Sequence, residues 1–222
     1  MSKRVLIWDI PTRVFHWLLA VSFAGAFLTA ESERYRDIHV LLGYTLLGLI
    51  AFRLLWGFVG SRYAQFSSFL FKPAEIAAYV ASLLKAKPEH YVGHNPAGSV
   101  AVFALLALGL ACGMSGVILF QDIGGDVLEE AHEMTAFVML AIVALHVAGV
   151  LVSSVMHREN LVRSMITGFK SAHPNAGIRR AHAWLGVIML VAVAAFWTGY
   201  PDASPAQTNV NVSQAEGDHD ND

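Results

Sequence analysis

Charge is scarce in this 222-residue chain: 14% of its residues are Asp, Glu, Lys or Arg, against about 25% in soluble domains. That deficit disfavours an ordinary water-soluble enzyme or binding module. Cysteine is scarcer still. The single Cys112 lies within an apolar run. One cysteine excludes an intrachain disulfide framework, a CxxC motif and covalent attachment of a prosthetic group through CxxCH. Any such group must be held noncovalently. Internal repeats are missing. A cleavable signal peptide is not expected, because the apolar run after the basic start MSKRVLIWDIPTR has no small-residue cleavage site before Glu31.

What is present is apolar surface, 55% of residues, gathered into five long runs. They cover residues 14–30, 38–60, 97–121, 134–156 and 181–200. About 20 helical residues cross the hydrocarbon of a bilayer, and only helices or closed barrels satisfy their backbone there. The expectation is five spanning helices. Between the second and third runs, Pro73 suits the first turn of a short interfacial helix ending near Lys85. Residues 158–180 form a polar, basic link. Residues 203–222 form an acidic tail expected to be disordered.

Loop charge sets the orientation. With the N-terminus inside, 13 of the 15 basic residues face the cytoplasm and only Arg34 and Arg36 face outward. Four of the 17 acidic residues, Asp9, Glu75, Glu89 and Glu159, are inside. The balance is then +9 inside and −11 outside. Such one-sidedness is the positive-inside pattern, and a large soluble helical protein has no reason to alternate its charge loop by loop.

Ionisable groups inside spans are costly and mark function. Of ten histidines, His90, His94, His157, His173 and His219 fall in loops or the tail, and His182 at an interface. The other four are His16, His39, His132 and His146. His16 opens the first span near the inner face. His39 opens the second and His132 the fourth, both near the outer face. His146 follows His132 by fourteen residues, about 21 Å along the same face of one helix. The four sort into an inner pair, His16 with His146, and an outer pair, His39 with His132. Two six-coordinate haems stacked across a membrane need this arrangement of imidazoles on facing helices. Gly43, one turn after His39, would let a flat macrocycle approach, although helix packing accounts for a single glycine as well. Arg13 and Arg53 either pair with haem propionates at the inner face or snorkel to the interface. Phe15, Trp17, Phe27, Trp56 and Phe58 either line a haem or form an interfacial belt.

These residues occur in segments that resemble the bacterial cytochrome b561 family, which includes the cytochrome b subunits of nickel–iron hydrogenases. The segments are WDIPTRVFHW at 8–17, HVLLGY at 39–44, FRLLWGFVG at 52–60, NPAG at 95–98, then His132-Glu133 followed by His146. The resemblance covers about residues 5–170. It implies an all-α membrane protein: a four-helix haem-binding transmembrane bundle plus a fifth C-terminal transmembrane helix. In those terms residues 1–170 are the haem-binding membrane domain, 171–202 the fifth helix and 203–222 the tail. It further implies two noncovalent haems b with His16, His39, His132 and His146 as iron ligands. Quinone is one redox partner, and a periplasmic c-type cytochrome or hydrogenase-like enzyme the other. Within the family the chain looks most like the cytochrome b serving small periplasmic c-type cytochromes, since the acidic stretch 216–222 departs from hydrogenase subunits. The expected place is the bacterial inner (plasma) membrane, multi-pass, with a cytoplasmic N-terminus and periplasmic C-terminus. Membrane lipid surrounds it, and no nucleic-acid partner is expected.

The function expected is a respiratory-chain electron-transport subunit, as part of a quinone oxidoreductase, with no catalytic residue of its own. A quinone needs a proton-exchanging group at a membrane face; Asp9, His157 and His182 are candidates, each equally readable as a solvated interfacial group. Two competing readings are a proton-coupled or metal-ion transporter using the same histidines, and a structural anchor for a periplasmic enzyme. Transporters tend to place polar sites at the midplane in repeats, whereas these histidines form two layers without one.

Overall fold

The computed structural model describes residues 3–85 and 89–203. The expected acidic tail beyond residue 203, with Lys87 and His219, lies outside them. Among the described residues the chain forms seven α-helices and one two-stranded sheet. Strand β1 (Lys3–Leu6) leads into α1 (Ile10–Thr29), then α2 (Arg36–Val59), α3 (Pro73–Leu84), α4 (Pro96–Phe120), α5 (Gly125–Met156), α6 (Leu161–Thr167), strand β2 (Phe169–Ala172) and α7 (Ala183–Ala203).

Helix starts follow local chemistry. Asp9 caps α1 by accepting from the Thr12 amide at 2.8 Å, with Pro11 in the first turn. Asn95 caps α4 by accepting from the Gly98 amide at 2.7 Å, with Pro96 leading the helix. Helix α3 begins at Pro73, as the sequence leads one to expect, and the Glu75 carboxylate accepts from the Lys72 amide.

Five helices are long and apolar enough to cross a membrane: Ile10–Thr29, Glu33–Val59, Pro96–Phe120, Gly125–Met156 and Ala183–Tyr200. No more than 33% of any spanning window is buried inside the chain, and only 6% in α5. Leu28, Val59, Leu145 and Val155 turn outward. Such apolar area facing outward suits lipid, not water. The core is correspondingly thin: Phe15 of α1, Leu49 and Ile50 of α2, Leu106 of α4 and Met189 of α7.

Helix α5 differs from its sequence expectation. It starts at Gly125, well before the apolar run at 134–156, and extends 32 residues, about 48 Å. That exceeds the hydrocarbon thickness of about 30 Å. Glu129, Glu130 and Glu133 lower hydropathy without breaking a helix, and Asp126 in the first turn suits the helix dipole. His132 is therefore about two turns inside α5 and does not open it.

The basic link at 158–180 also has structure of its own. Asn160 caps α6 by accepting from the Arg163 amide at 2.7 Å. Gly168, at φ +86°, ends it in the left-handed region open to glycine. Strand β2 then pairs antiparallel with β1, Lys3 opposite Ala172 and Leu6 opposite Phe169. Ile7, Trp8 and Tyr63 form a second small core beneath this ribbon. The ribbon ties the N-terminus to the chain leaving α5.

Candidate functional site

The backbone arrangement sets the site. Helix α1 packs along α2, α2 along α4, α4 along α5 and α7 along α1. Among the described residues α5 lies close to α4, whereas its backbone stands off from α1 and α2. What spans that separation is side chains. Phe27 of α1 meets Phe137 of α5 with ring centres 5.5 Å apart. His39 of α2 meets His132 of α5 with ring centres 6.2 Å apart.

Each imidazole of this outer pair is oriented from behind. His39 Nδ1 lies 2.9 Å from the Ala26 carbonyl oxygen of α1. His132 Nδ1 lies 2.9 Å from the Cys112 carbonyl oxygen and 3.0 Å from Ser115 Oγ, both on α4. A carbonyl only accepts, so Nδ1 is the donor in both rings, and in a neutral imidazole Nε2 then keeps the free lone pair. That is the tautomer a ligating histidine needs.

The glycines differ in what surrounds them. An ideal Cβ on Gly116 would come within 3.0 Å of His132 Cε1. Gly116 thus admits the imidazole ring to the face of α4. Gly43, four residues after His39, and Gly149, three after His146, would each place a Cβ with no protein atom within 4 Å. Both lie on the histidine-bearing side of their helices.

The inner pair is less elaborately held. His146 is half-buried on α5. His16 Nδ1 is buried without a hydrogen-bond partner, and its ring abuts Trp17 at 5.1 Å.

Around this end a polar cluster is buried under the ribbon. Asp9 is fully buried; its second carboxylate oxygen accepts from Trp56 Nε1 at 3.0 Å. It therefore joins α1 to α2, and it is not a solvated interfacial group. Arg53 is buried with its guanidinium 4.7 Å from the Phe66 ring centre and 5.9 Å from that of Phe69. It does not snorkel, and its Nη1 is buried without a partner. Arg13 donates from Nη2 to the Ile166 carbonyl, fastening α1 to the end of α6. His157 stacks edge-on with His90 at 5.2 Å, and His182 with Trp56 at 5.3 Å.

Two features are not apparent from the sequence. One is the α4 face made by Cys112, Ser115 and Gly116, which holds His132; the spacing i, i+3, i+4 of three small residues is its only trace. The other is His94, which looks like a loop residue. It sits between Phe69, at 4.3 Å, and Trp8, at 4.8 Å. Burial, followed by the charge of Arg53, pushes its imidazole down to about 3, so it is neutral at physiological pH. The adjoining Asn95 cap pins it at the start of α4.

Residues 7–168 match the family model described as prokaryotic cytochrome b561. The chain belongs to the prokaryotic cytochrome b561 family. Similar curated proteins are named "Probable Ni/Fe-hydrogenase B-type cytochrome subunit". That of Rhodobacter capsulatus is 24% identical, over 75% of this chain and 81% of its own length. That of Rhizobium leguminosarum bv. viciae is 25% identical, over 75% and 88%. The "Probable Ni/Fe-hydrogenase 1 B-type cytochrome subunit" of Escherichia coli K12 is 21% identical, over 74% and 90%. No solved structure matches the chain.

A cytochrome b561 chain is a multi-pass membrane protein of electron transfer, and haem b is the group its family implies. The residues fit such a group. Two metal–nitrogen bonds of about 2 Å, plus about 1 Å from each nitrogen to its ring centre, put two axial imidazoles about 6 Å apart, centre to centre. The His39–His132 separation is 6.2 Å. The offset of α5 from α1 and α2, the open flanks of Gly43 and Gly149, and the buried partnerless His16 Nδ1 agree with a flat ligand between these helices.

Proposed function

We propose that this chain is a di-haem b-type cytochrome that carries electrons between membrane quinone and a periplasmic redox enzyme. His39 and His132 hold the outer haem; His16 and His146 hold the inner one. Bound haem b supplies a one-electron iron couple in apolar surroundings. The observation that carries the reading is the outer pair, two imidazoles 6.2 Å apart with both Nδ1 protons committed to carbonyls. Those carbonyls hold the rings in place and leave each Nε2 free to ligate. The apolar faces of α1, α2 and α5 exclude water from the space between.

Arg53, with a free buried Nη1 at the inner end, offers a donor to a propionate. Arg13 has a buried Nε without a partner for the same purpose. Quinone is placed at the cytoplasmic side, where His157 and His182 are the remaining proton-exchanging candidates. Asp9 is set aside, because both of its carboxylate oxygens already accept hydrogen bonds.

The partner is proposed to be a hydrogenase-like enzyme, since the similar curated proteins carry that name; a c-type cytochrome is the second choice. The acidic start of α5, with Asp126, Glu129, Glu130 and Glu133 beside the outer pair, would favour a basic docking face. The localisation proposed is the bacterial inner membrane, N-terminus cytoplasmic and C-terminus periplasmic.

The test is a dithionite-minus-oxidised spectrum with haem quantification on purified chain. The reading expects a b-type spectrum and two haems per chain, with one lost in His132→Ala. A chain that binds no haem contradicts it.

A further inference from the structure

We propose that Ser115 is a positioning residue for His132, and that its hydroxyl sets the redox potential of the outer haem. The inference rests on the reading of His39 and His132 as axial ligands.

Ser115 lies one turn after Cys112 on α4. Its hydroxyl donates to the Cys112 carbonyl at 2.9 Å. The single hydroxyl proton is thereby used, and the Ser115 oxygen faces His132 Nδ1, at 3.0 Å, as an acceptor. The same carbonyl, at 2.9 Å, is the other acceptor for that ring nitrogen. Within α4 this carbonyl also receives the helical amide four residues on. A carbonyl oxygen has two lone pairs. Three donors oversubscribe it, and the Ser115 oxygen takes up part of the imidazole's demand.

The His132 N–H is therefore shared between two acceptors, and they define the plane of the ring. Gly116 closes the arrangement, since a Cβ there would come within 3.0 Å of Cε1. Hydrogen bonds to the outer nitrogen of an axial imidazole fix its tautomer and raise its basicity. A more basic ligand favours the oxidised metal, which lowers the potential. His39 differs, as it is held by the Ala26 carbonyl and no hydroxyl. Removing the Ser115 hydroxyl relieves the Cys112 carbonyl of one donor, but that carbonyl still serves the helical amide, so His132 is left with one shared acceptor in place of two and the potential of one haem should rise.

The experiment compares the full-length chain, Ser115→Ala, Ser115→Thr and His132→Ala by haem quantification and optical redox titration. Ser115→Ala is expected to keep the wild-type haem content. One of its transitions should move upward, by about a threefold change in the ratio of oxidised to reduced haem at fixed potential. For a one-electron couple that is about 30 mV, at 59 mV per tenfold. Ser115→Thr, which restores the hydroxyl, should titrate as wild type. Haem loss in Ser115→Ala that Ser115→Thr repairs also supports the role. Unmoved or lowered transitions in Ser115→Ala, or a change that Ser115→Thr shares, overturn it. If His132→Ala keeps every haem, the ligand reading itself falls and takes this inference with it. If His132→Ala loses one haem while Ser115→Ala titrates as wild type, only the role of Ser115 falls.

Discussion

His132 Nδ1 lies 2.9 Å from the carbonyl oxygen of Cys112 on the neighbouring helix, and that contact decides which ring nitrogen is free to meet His39. A helix with no histidine of its own thus takes part in the site. Helix α4 has no charged residue, and from its sequence alone it reads as a lipid-facing span.

Gly116 should be intolerant of added bulk for this reason. A Cβ there would come within 3.0 Å of the His132 ring, and a branched side chain adds bulk to that close contact. Gly116→Val is expected to displace the imidazole and to lower haem content by about one per chain under the axial-ligand geometry. Gly199→Ala, where a Cβ meets nothing within 4 Å, serves as the control and should retain wild-type content. Equal haem content in the two variants would contradict the close approach.

Asp9 should matter for stability before it matters for electron transfer. It caps α1 and accepts from Trp56. Asp9→Ala loses the cap, about 1 kcal/mol. It also leaves the buried Trp56 Nε1 without its acceptor, a loss of about 1–3 kcal/mol. The melting temperature in detergent should fall below that of Asp9→Asn, whose side-chain oxygen can still cap the helix. A melting temperature for Asp9→Ala equal to wild type would remove Asp9 from this structural role.

The five spans are legible in the sequence because an apolar run of some 20 residues has few ways to satisfy its backbone in lipid. The meeting of His39 with His132 is legible because helical rise converts spacing into depth. The β1–β2 ribbon is not, since each strand is four residues long and their partners are far apart in sequence. The early start of α5 is hidden because hydropathy drops at Glu129, Glu130 and Glu133 while helix propensity does not. The hold of α4 on His132 is hidden because Ser115 and Cys112 look like ordinary small residues of a span. His94 is hidden because a loop position says nothing of the aromatic residues that fold over it.

His94 should make stability depend on pH. In the folded protein it stays neutral down to about pH 3, whereas an unfolded histidine titrates near 6.5. Between those values the unfolded state binds the extra proton, so stability falls as pH falls. Its contribution is complete above about pH 6.5 and is lost progressively toward pH 3. Wild-type protein should melt at a lower temperature at pH 5 than at pH 7.5. His94→Phe, which keeps the packing between Trp8 and Phe69, should show a smaller difference. An unchanged difference would show that His94 is not the group responsible.

Topology has its own test. An alkaline phosphatase domain, active only outside the cytoplasm, should be active when fused after residue 203. It should be inactive when fused in the link before α7. The reverse pattern would invert the orientation drawn from the loop charges.

The most direct measurement is haem per chain in wild type, His146→Ala and His132→Ala, read with the reduced-minus-oxidised spectrum. Two histidine pairs sharing α5 predict two haems in wild type and one in each variant. The two variants should keep different haems, with distinct midpoint potentials. A His146→Ala protein that retains both haems would contradict the account.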